Sequence, residues 1–477
     1  MKQNNKPSFL LSIIPIVALL VTLASIIVMT NAEVAQRFSY LILLGAAGFS
    51  LILSKIFAPQ PYSHLIKGVK QSAAQILPAV PILVFIAIVS ATWMLSGVVP
   101  TLIAYGINII NPTLFLMIAC GVCAVISVLS GSSWTTIATI GVAFQGIGHV
   151  MGYSEGWIAG AIISGAYFGD KVSPLSDTTV LASSACKVDL FTHIKYLMLT
   201  SAPAIILALI VYGVVGAIYD PTTTMQSSEI LPALNSSFNI TPWVLVVPLI
   251  TGVLIAMRVK TLVTLAISSA LGLVGIFIFQ PQIIGVLGYD MSVGDIVTMS
   301  GDVVFTETAI STGNDLLDSL VSTSGVAGML PTIYLVLSAM VFGGVLIGTG
   351  MLESITVSFT SRLQSLRRTV GATVGCGLFL NGTTGDQYLS ILLGANLFRK
   401  MYSKNGLESR LLSRTLEDSI SVTSVLIPWN SCGITQASVL GVATLTYLPY
   451  CIFNIASPLL SLFFAWTGWK IKRFHRR

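Results

Sequence analysis

Residues Gly169–Thr179 read GDKVSPLSDTT and set Asp170, Lys171 and Asp177 within chain that is otherwise almost free of charge. Between Gln71 and Gly169 only Glu155 carries a formal charge, and Tyr196–Tyr219 carries none. A charged side chain at the bilayer centre costs roughly 2.5–3.5 kcal/mol on insertion scales, so it normally faces protein or a wet cavity and has a task there. The competing reading is an aqueous loop between two helices, which Pro174, flanked by Ser173 and Ser176, would suit. A second stretch, LSRTLEDSISVTSVLIPWNSCG (Leu412–Gly433), places Asp418 in similarly apolar surroundings and favours the first reading.

Two further stretches are rich in small hydroxyls: LSGSSWTT (Leu129–Thr136) and FLNGTTGDQYLS (Phe379–Ser390). The candidate ion-handling acids, and candidate Na⁺ ligands, are therefore Asp170, Asp177, Asp386 and Asp418. Ser132, Ser133, Thr135, Ser173, Thr178, Thr383, Thr384 and Ser421 are candidate oxygen donors. Asn430, just after Pro428 and Trp429, fits either a site at a helix break or a simple cap. The hydroxyls also suit helix packing through small residues. The acids could pair with Lys171 or Arg414, and Glu417 stands at i,i+3 from Arg414. Oxygen-rich, partly dehydrated pockets suit hard cations such as Na⁺. Desolvation disfavours the charged form of a carboxyl group, which can then trade a proton for a cation.

Composition limits what else the chain can be. Of 477 residues, 54% are hydrophobic and 9% charged, against about 25% charged in soluble domains. This is the composition of a polytopic, all-α membrane protein. The formal charge of +6 sits in short clusters at span ends, which points to the bilayer and not to nucleic acid. Cys120 and Cys123 form a lone C-x-x-C without a completing pair, and the four histidines are dispersed, so no metal site is expected. There is no Walker P-loop and no nucleophile with a positioned histidine, so neither an ATP-driven pump nor a hydrolase is expected, and no cofactor. Trp93, Trp466 and Trp469 read as interfacial anchors.

Long apolar runs predict spans near 9–29, 38–55 and 76–98. A re-entrant hairpin is predicted at about 112–151, its two short runs joined by Gly-Ser-Ser at membrane depth. A helix of about 156–185, broken at GDKVSPLSDTT, and a span at 196–218 complete a first unit, 1–218. Residues 219–240 read as a polar linker. The second unit, 241–477, repeats the order: spans, an acidic outer loop at 280–330, a hairpin at about 369–398, a broken helix at about 411–432 and a last span. LSG at 129–131 aligns with LNG at 380–382, and Asp170 and Ser173 align with Asp418 and Ser421 at an offset of 248. Lys2 and Lys6 place the start of the first span in the cytoplasm, whereas Arg258 and Lys260 place the end of the second unit's first span there. The halves are thus expected to be inverted-topology repeats, with both termini cytoplasmic. That is the architecture of a secondary transporter.

The motifs GSSWTT (131–136), GAYFGDKVSPLSDTT (165–179), DLFTHI (189–194), TGDQYL (384–389), SRTLEDS (413–419) and LIPWN (426–430) resemble those of the NhaC family of bacterial Na⁺/H⁺ antiporters, within the ion-transporter superfamily. The resemblance implies Na⁺/H⁺ exchange at the plasma membrane, a scaffold with a mobile transport domain moving like an elevator, and a homodimer. The same family includes exchangers of organic acids of the malate/lactate type. Where the family commonly continues SDTT with Asn and Leu-Ala-Pro, this chain has Val180, Leu181, Ala182 and Ser183, and His149 stands where an acid is frequent. Two functions stay open on sequence: a cation/proton antiporter, and a Na⁺- or H⁺-coupled transporter of a small carboxylate or amino acid. A channel fits the asymmetric carboxylates less well.

Overall fold

The computed structural model describes residues 7–30, 32–218, 224–257, 259–290, 292–310, 318, 321–360, 365–469 and 471. Lys2, Lys6, Asp220, Arg258, Asp315, Arg362 and the basic tail from Lys470, on which part of the orientation reading rests, lie outside them. Among the described residues the architecture is helical, with one isolated bridge between Thr308 and Thr323. Six helices among the described residues are long and apolar enough to cross a membrane, or up to nine if each of three bent pairs counts as one span. The protein is a multi-pass membrane protein.

The chain begins with α1 (Phe9–Met29), α2 (Ala32–Phe57), α3 (Tyr62–Ile76), α4 (Ala79–Leu95) and α5 (Val98–Ile109). The basic stretch around Lys67 and Lys70 is thus itself a helix, α3. It packs on a later span because Gly68 meets the backbone of Gly344 and Gly348 there, leaving no room for a Cβ. The predicted third span, 76–98, corresponds to α4, and at its end the chain turns by 66° into α5, where Gly97 adopts φ 83°. Trp93 is no interfacial anchor. It is 3% exposed, and its Nε1 donates to Ser268 Oγ at 3.0 Å.

Next come α6 (Phe115–Ser130), α7 (Ser133–Thr136), a π turn (Ile137–Gly141) and α8 (Val142–Val150), forming a hairpin with its tip at Gly131. Helix α9 (Glu155–Val172) then breaks and α10 (Asp177–Ala185) resumes, followed by α11 (Leu190–Ile218). Close approach of α6 and α9 depends on Gly165 and Gly169, whose absent side chains leave room for the carbonyls of Cys120 and Ala124.

The predicted linker contains a helix, α12 (Thr224–Ser237), anchored at its end by the buried Leu234 and Phe238. Then follow α13 (Val246–Ala256), α14 (Thr261–Phe279), α15 (Pro281–Val286), α16 (Val293–Phe305), α17 (Gly325–Gly348) and α18 (Met351–Thr360). A second hairpin, α19 (Leu366–Thr384) and α20 (Gln387–Lys404), has its tip at Gly385. The second broken helix is α21 (Ser409–Leu416), a π turn (Glu417–Ser421) and, after an interruption, α22 (Ser431–Leu440). The chain ends in α23 (Thr444–Tyr447) and α24 (Ile452–Thr467), bent by 58° at their junction.

Gly131 supplies a direct test of the hairpin tip. Its φ is 66°, and a Cβ there would overlap Leu175 of the first break. Gly131→Ala should therefore lower stability by about 1–3 kcal/mol. Gly121→Ala, in open space on the same α6, should leave stability unchanged or slightly raised. Thermal melting in detergent compares the two.

Candidate functional site

Four helices begin around one region, and each first turn is capped by its own side chain. Ser132 accepts from Thr135 N, Ser176 from Thr179 N, Asp386 from Leu389 N and Asn430 from Cys432 N. Caps of this kind satisfy backbone donors that lipid cannot. The two hairpin tips make the same bonds. Ser130 Oγ donates to the carbonyl of Ser132 at 3.2 Å, as Thr384 Oγ1 does to that of Asp386 at 2.9 Å. Thr136 Oγ1 returns to the Ser132 carbonyl at 2.9 Å, as Ser390 Oγ does to Asp386 at 2.7 Å.

Each hairpin is also tied to its neighbouring broken helix in a matching way. Ser127 Oγ donates to Ala166 O, and Asn381 Nδ2 donates to Ile420 O. All these pairs stand 254 residues apart, as do Pro174 and Pro428 in the breaks. The offset of 248 and the match of LSG with LNG are thereby corrected. At this offset Asp170 stands opposite Ser424 and not Asp418: Ser133 Oγ donates to Asp170, and in the reverse direction Ser424 Oγ donates to Gln387. The turn glycines, Gly131 and Gly385, and the break prolines share the offset of 254 and not that of 248.

Asp170 ends α9 beneath the first tip. Its Oδ2 accepts from Ser133 N at 3.1 Å and Ser133 Oγ at 2.7 Å. Its buried Oδ1, the buried Ser421 Oγ and the Tyr167 hydroxyl make no hydrogen bond within strict geometric limits, though Ser176, Glu417 and Cys432 respectively stand close enough to interact with them. Asp170, Ser421 and Tyr167, with Lys171, Thr178, Gln387 and Val422, surround a void of about 10 Å³. That is about the space one water-sized guest needs. On its other side Asp170 faces a cavity of about 530 Å³, shared with Asp177, Asp386, Ser132, Ser431 and Lys260. Asp177 is held there by Tyr388, whose hydroxyl donates to Oδ2 at 2.8 Å. Asp386 is 2% exposed and spends Oδ1 on its cap at 2.8 Å.

Asp418 lies apart from both spaces. It is fully buried and ion-paired with Lys171, which also donates to Ser457 Oγ at 2.8 Å. Asp418 further accepts from Thr200 at 3.1 Å, Ser457 at 2.9 Å and Ser461 at 2.7 Å. Arg414 pairs with Asp418 at 3.9 Å, not with Glu417, and stacks 4.6 Å over the Tyr196 ring. Among the described residues, no three acids, histidines or cysteines converge as a metal-holding group, so the four aspartates do not form one set.

The hydroxyls divide similarly. Ser132 lines the large cavity and Thr178 the small void. Thr135 bonds the Ser132 hydroxyl at 3.1 Å, and Thr383 bonds the backbone of its own helix. Thr384 shapes the second tip. Ser173 donates to Val128 O at 2.7 Å, fastening the break to the hairpin. Asn430 is a cap, and its amide holds Asn381 O at 3.2 Å. His149 sits 3.9 Å from Glu155 at the far end of α8. Gln387, Tyr388, Trp134, Ser431 and Lys260 line the cavity without having been singled out from sequence. Superposing the motifs on Pro174 and Pro428 would have pointed to two of them, because Ser133 and Asp177 match Gln387 and Ser431.

Residues 165–469, which contain the first break, the second tip and the second break, match the model of the Na⁺/H⁺ antiporter family. The chain is 36% identical to the Na⁺/H⁺ antiporter NhaC of Alkalihalophilus pseudofirmus over 85% of this chain and 84% of that one. It is 32% identical to the malate-2H⁺/Na⁺-lactate antiporter of Bacillus subtilis over 94% and 95% of the two chains. With the arginine/ornithine antiporter ArcD of Halobacterium salinarum it shares 31% identity over 98% and 94%. The chain belongs to the Na⁺/H⁺ antiporter family.

Proposed function

We propose that the chain exchanges Na⁺ for H⁺ across the bacterial plasma membrane, with Asp170 as the carboxylate for which the two cations compete. The observation that carries this reading is the group of residues with buried oxygens that converge on the small void: Asp170, Ser421 and Tyr167. Hard cations prefer such oxygen donors. Ser133 keeps Oδ2 occupied in either state, so Oδ1 takes a proton or faces a cation, not both at once. Thr178 and Gln387 complete the polar wall. Asp177 and Asp386 give the approach a negative potential that concentrates cations.

Asp418 and Lys171 serve a different role. Their pair joins α9 to the π turn after α21 and, through Thr200, Ser457 and Ser461, to α11 and α24. This lets the hairpins and broken helices move as one body against a scaffold. The halves are inverted repeats, the termini face the cytoplasm, and the protein is a homodimer working by an elevator-like motion. The recurrence of matching bonds at a constant offset supports the repeat, the basic residues at span ends support the orientation, and the family resemblance supports the homodimer and the motion.

A second reading is coupled transport of a small organic solute. The cavity of about 530 Å³ falls in the range of small-molecule sites. Lys260 on its wall could meet a carboxylate, while the acids could meet an ammonium group.

Proteoliposomes with a trapped pH dye separate the readings. External Na⁺ alone should alkalinise the interior; no response from intact protein, with Na⁺-dependent uptake of a carboxylate or amino acid, would replace the first reading by the second. Asp170→Asn should abolish exchange while leaving the melting temperature close to that of the parent. Ser421→Ala should weaken apparent Na⁺ affinity by about 2- to 10-fold, the scale of one hydrogen-bonding group. Asp418→Asn strands the buried Lys171 and should cost about 3–5 kcal/mol of stability. Much of that loss should return in Asp418→Asn/Lys171→Met, which thermal melting would show.

A further inference from the structure

A cavity of about 630 Å³ lies elsewhere along the helices that wall the Asp170 cavity, and nothing so far accounts for it. Its walls are α4, the first half of α17, and the later part of α22 with the turn that follows. Ile82 of α4 lines the Asp170 cavity and Ile86 lines this one; Ser431 and Ile434 of α22 divide in the same way. The two spaces are therefore separated by about one helical turn, roughly 6 Å at 1.5 Å per residue. Ile86, Ile434 and Leu335 are each less than 5% exposed.

The two spaces also differ in charge. The Asp170 cavity has three acids and Lys260, and begins at Ala74, just beyond the basic Lys67 and Lys70. The larger space has no ionisable lining residue. Its polar wall is made of hydroxyls, among them Ser90, Thr323, Thr332 and Ser438. Thr323 and Ser324, which line it, belong to the last part of the segment 280–330, which has six acids and no Lys or Arg. Basic residues favour the cytoplasmic side. A single polar tie, between the hydroxyls of Thr332 and Ser438, spans α17 and α22 here.

We propose that this hydroxyl-lined space is the extracytoplasmic vestibule of the same transport path, closed from the Asp170 site by a septum of Ile86, Leu335 and Ile434. The structure is then the inward-open state, and a partly hydrated cation uses the uncharged vestibule when the transport domain moves past α4 and α17. This inference rests on the transporter reading but not on which ion is carried.

Cysteines introduced one at a time in the full chain test it, since all six native cysteines are buried. In sealed vesicles of known orientation, a membrane-impermeant maleimide should label Ser90→Cys and Ser438→Cys from the extracytoplasmic side only. It should label Ala74→Cys from the cytoplasmic side only. A bulky maleimide at Ser90→Cys or Ser438→Cys should abolish exchange that the unmodified variant retains. Labelling of Ser90→Cys or Ser438→Cys from the cytoplasm, no labelling from either side in a protein with unchanged melting, or undiminished exchange after labelling would overturn the proposal. Sided labelling as expected, in variants that move no Na⁺, would keep the path and remove the ion assignment.

Discussion

Interrupting a helix at membrane depth exposes backbone donors and acceptors where no water can meet them, and the rest of this structure follows from how those groups are satisfied. Positive-φ glycines close the ends of α6 and α19, and side-chain caps open α7, α10, α20 and α22. Once the ends are closed in this way, the interruptions become durable features around which a polar site can be built. The acids fit the same logic. Asp177 lies in the first turn of α10 and Asp386 caps α20, positions where the helix dipole favours negative charge.

The acids then separate by whether a cation is already supplied. Asp418 has Lys171, Arg414 and three hydroxyls, so its charge is matched within the fold. Asp170 has two bonds to one oxygen, both from Ser133. One carboxylate ties helices together, and the other lines both the small void and the larger cavity. Burial alone would not distinguish them, because a buried charge can serve either purpose.

Much of this was legible in the chain. Apolar runs located the spans, and isolated charges with Gly-Ser and Pro breaks located the four irregular stretches. Asp170, Asp177 and Asp386 do face a common cavity. The register of the two halves was not legible from residue identity, because bonds recur where letters do not: Ser127 and Asn381 do the same work with different groups. Asp418 looked like a counterpart of Asp170 because sequence shows a charge but not its partner, and Lys171 lies 247 residues away along the chain. Trp93 failed for a related reason, since its indole partner, Ser268, is supplied by a helix from the other half.

The constant register between the two motifs has a consequence for how the site is made acidic. In the first copy the break carries Asp170 and Asp177, while the tip carries the neutral Ser132. In the second copy the break carries Ser424 and Ser431, and the tip carries Asp386. Neither copy is acidic at both places. Brought face to face, the break of one and the tip of the other supply all three carboxylates of a single cavity. The cavity thus draws its carboxylates from both stretches, and neither stretch alone supplies all three.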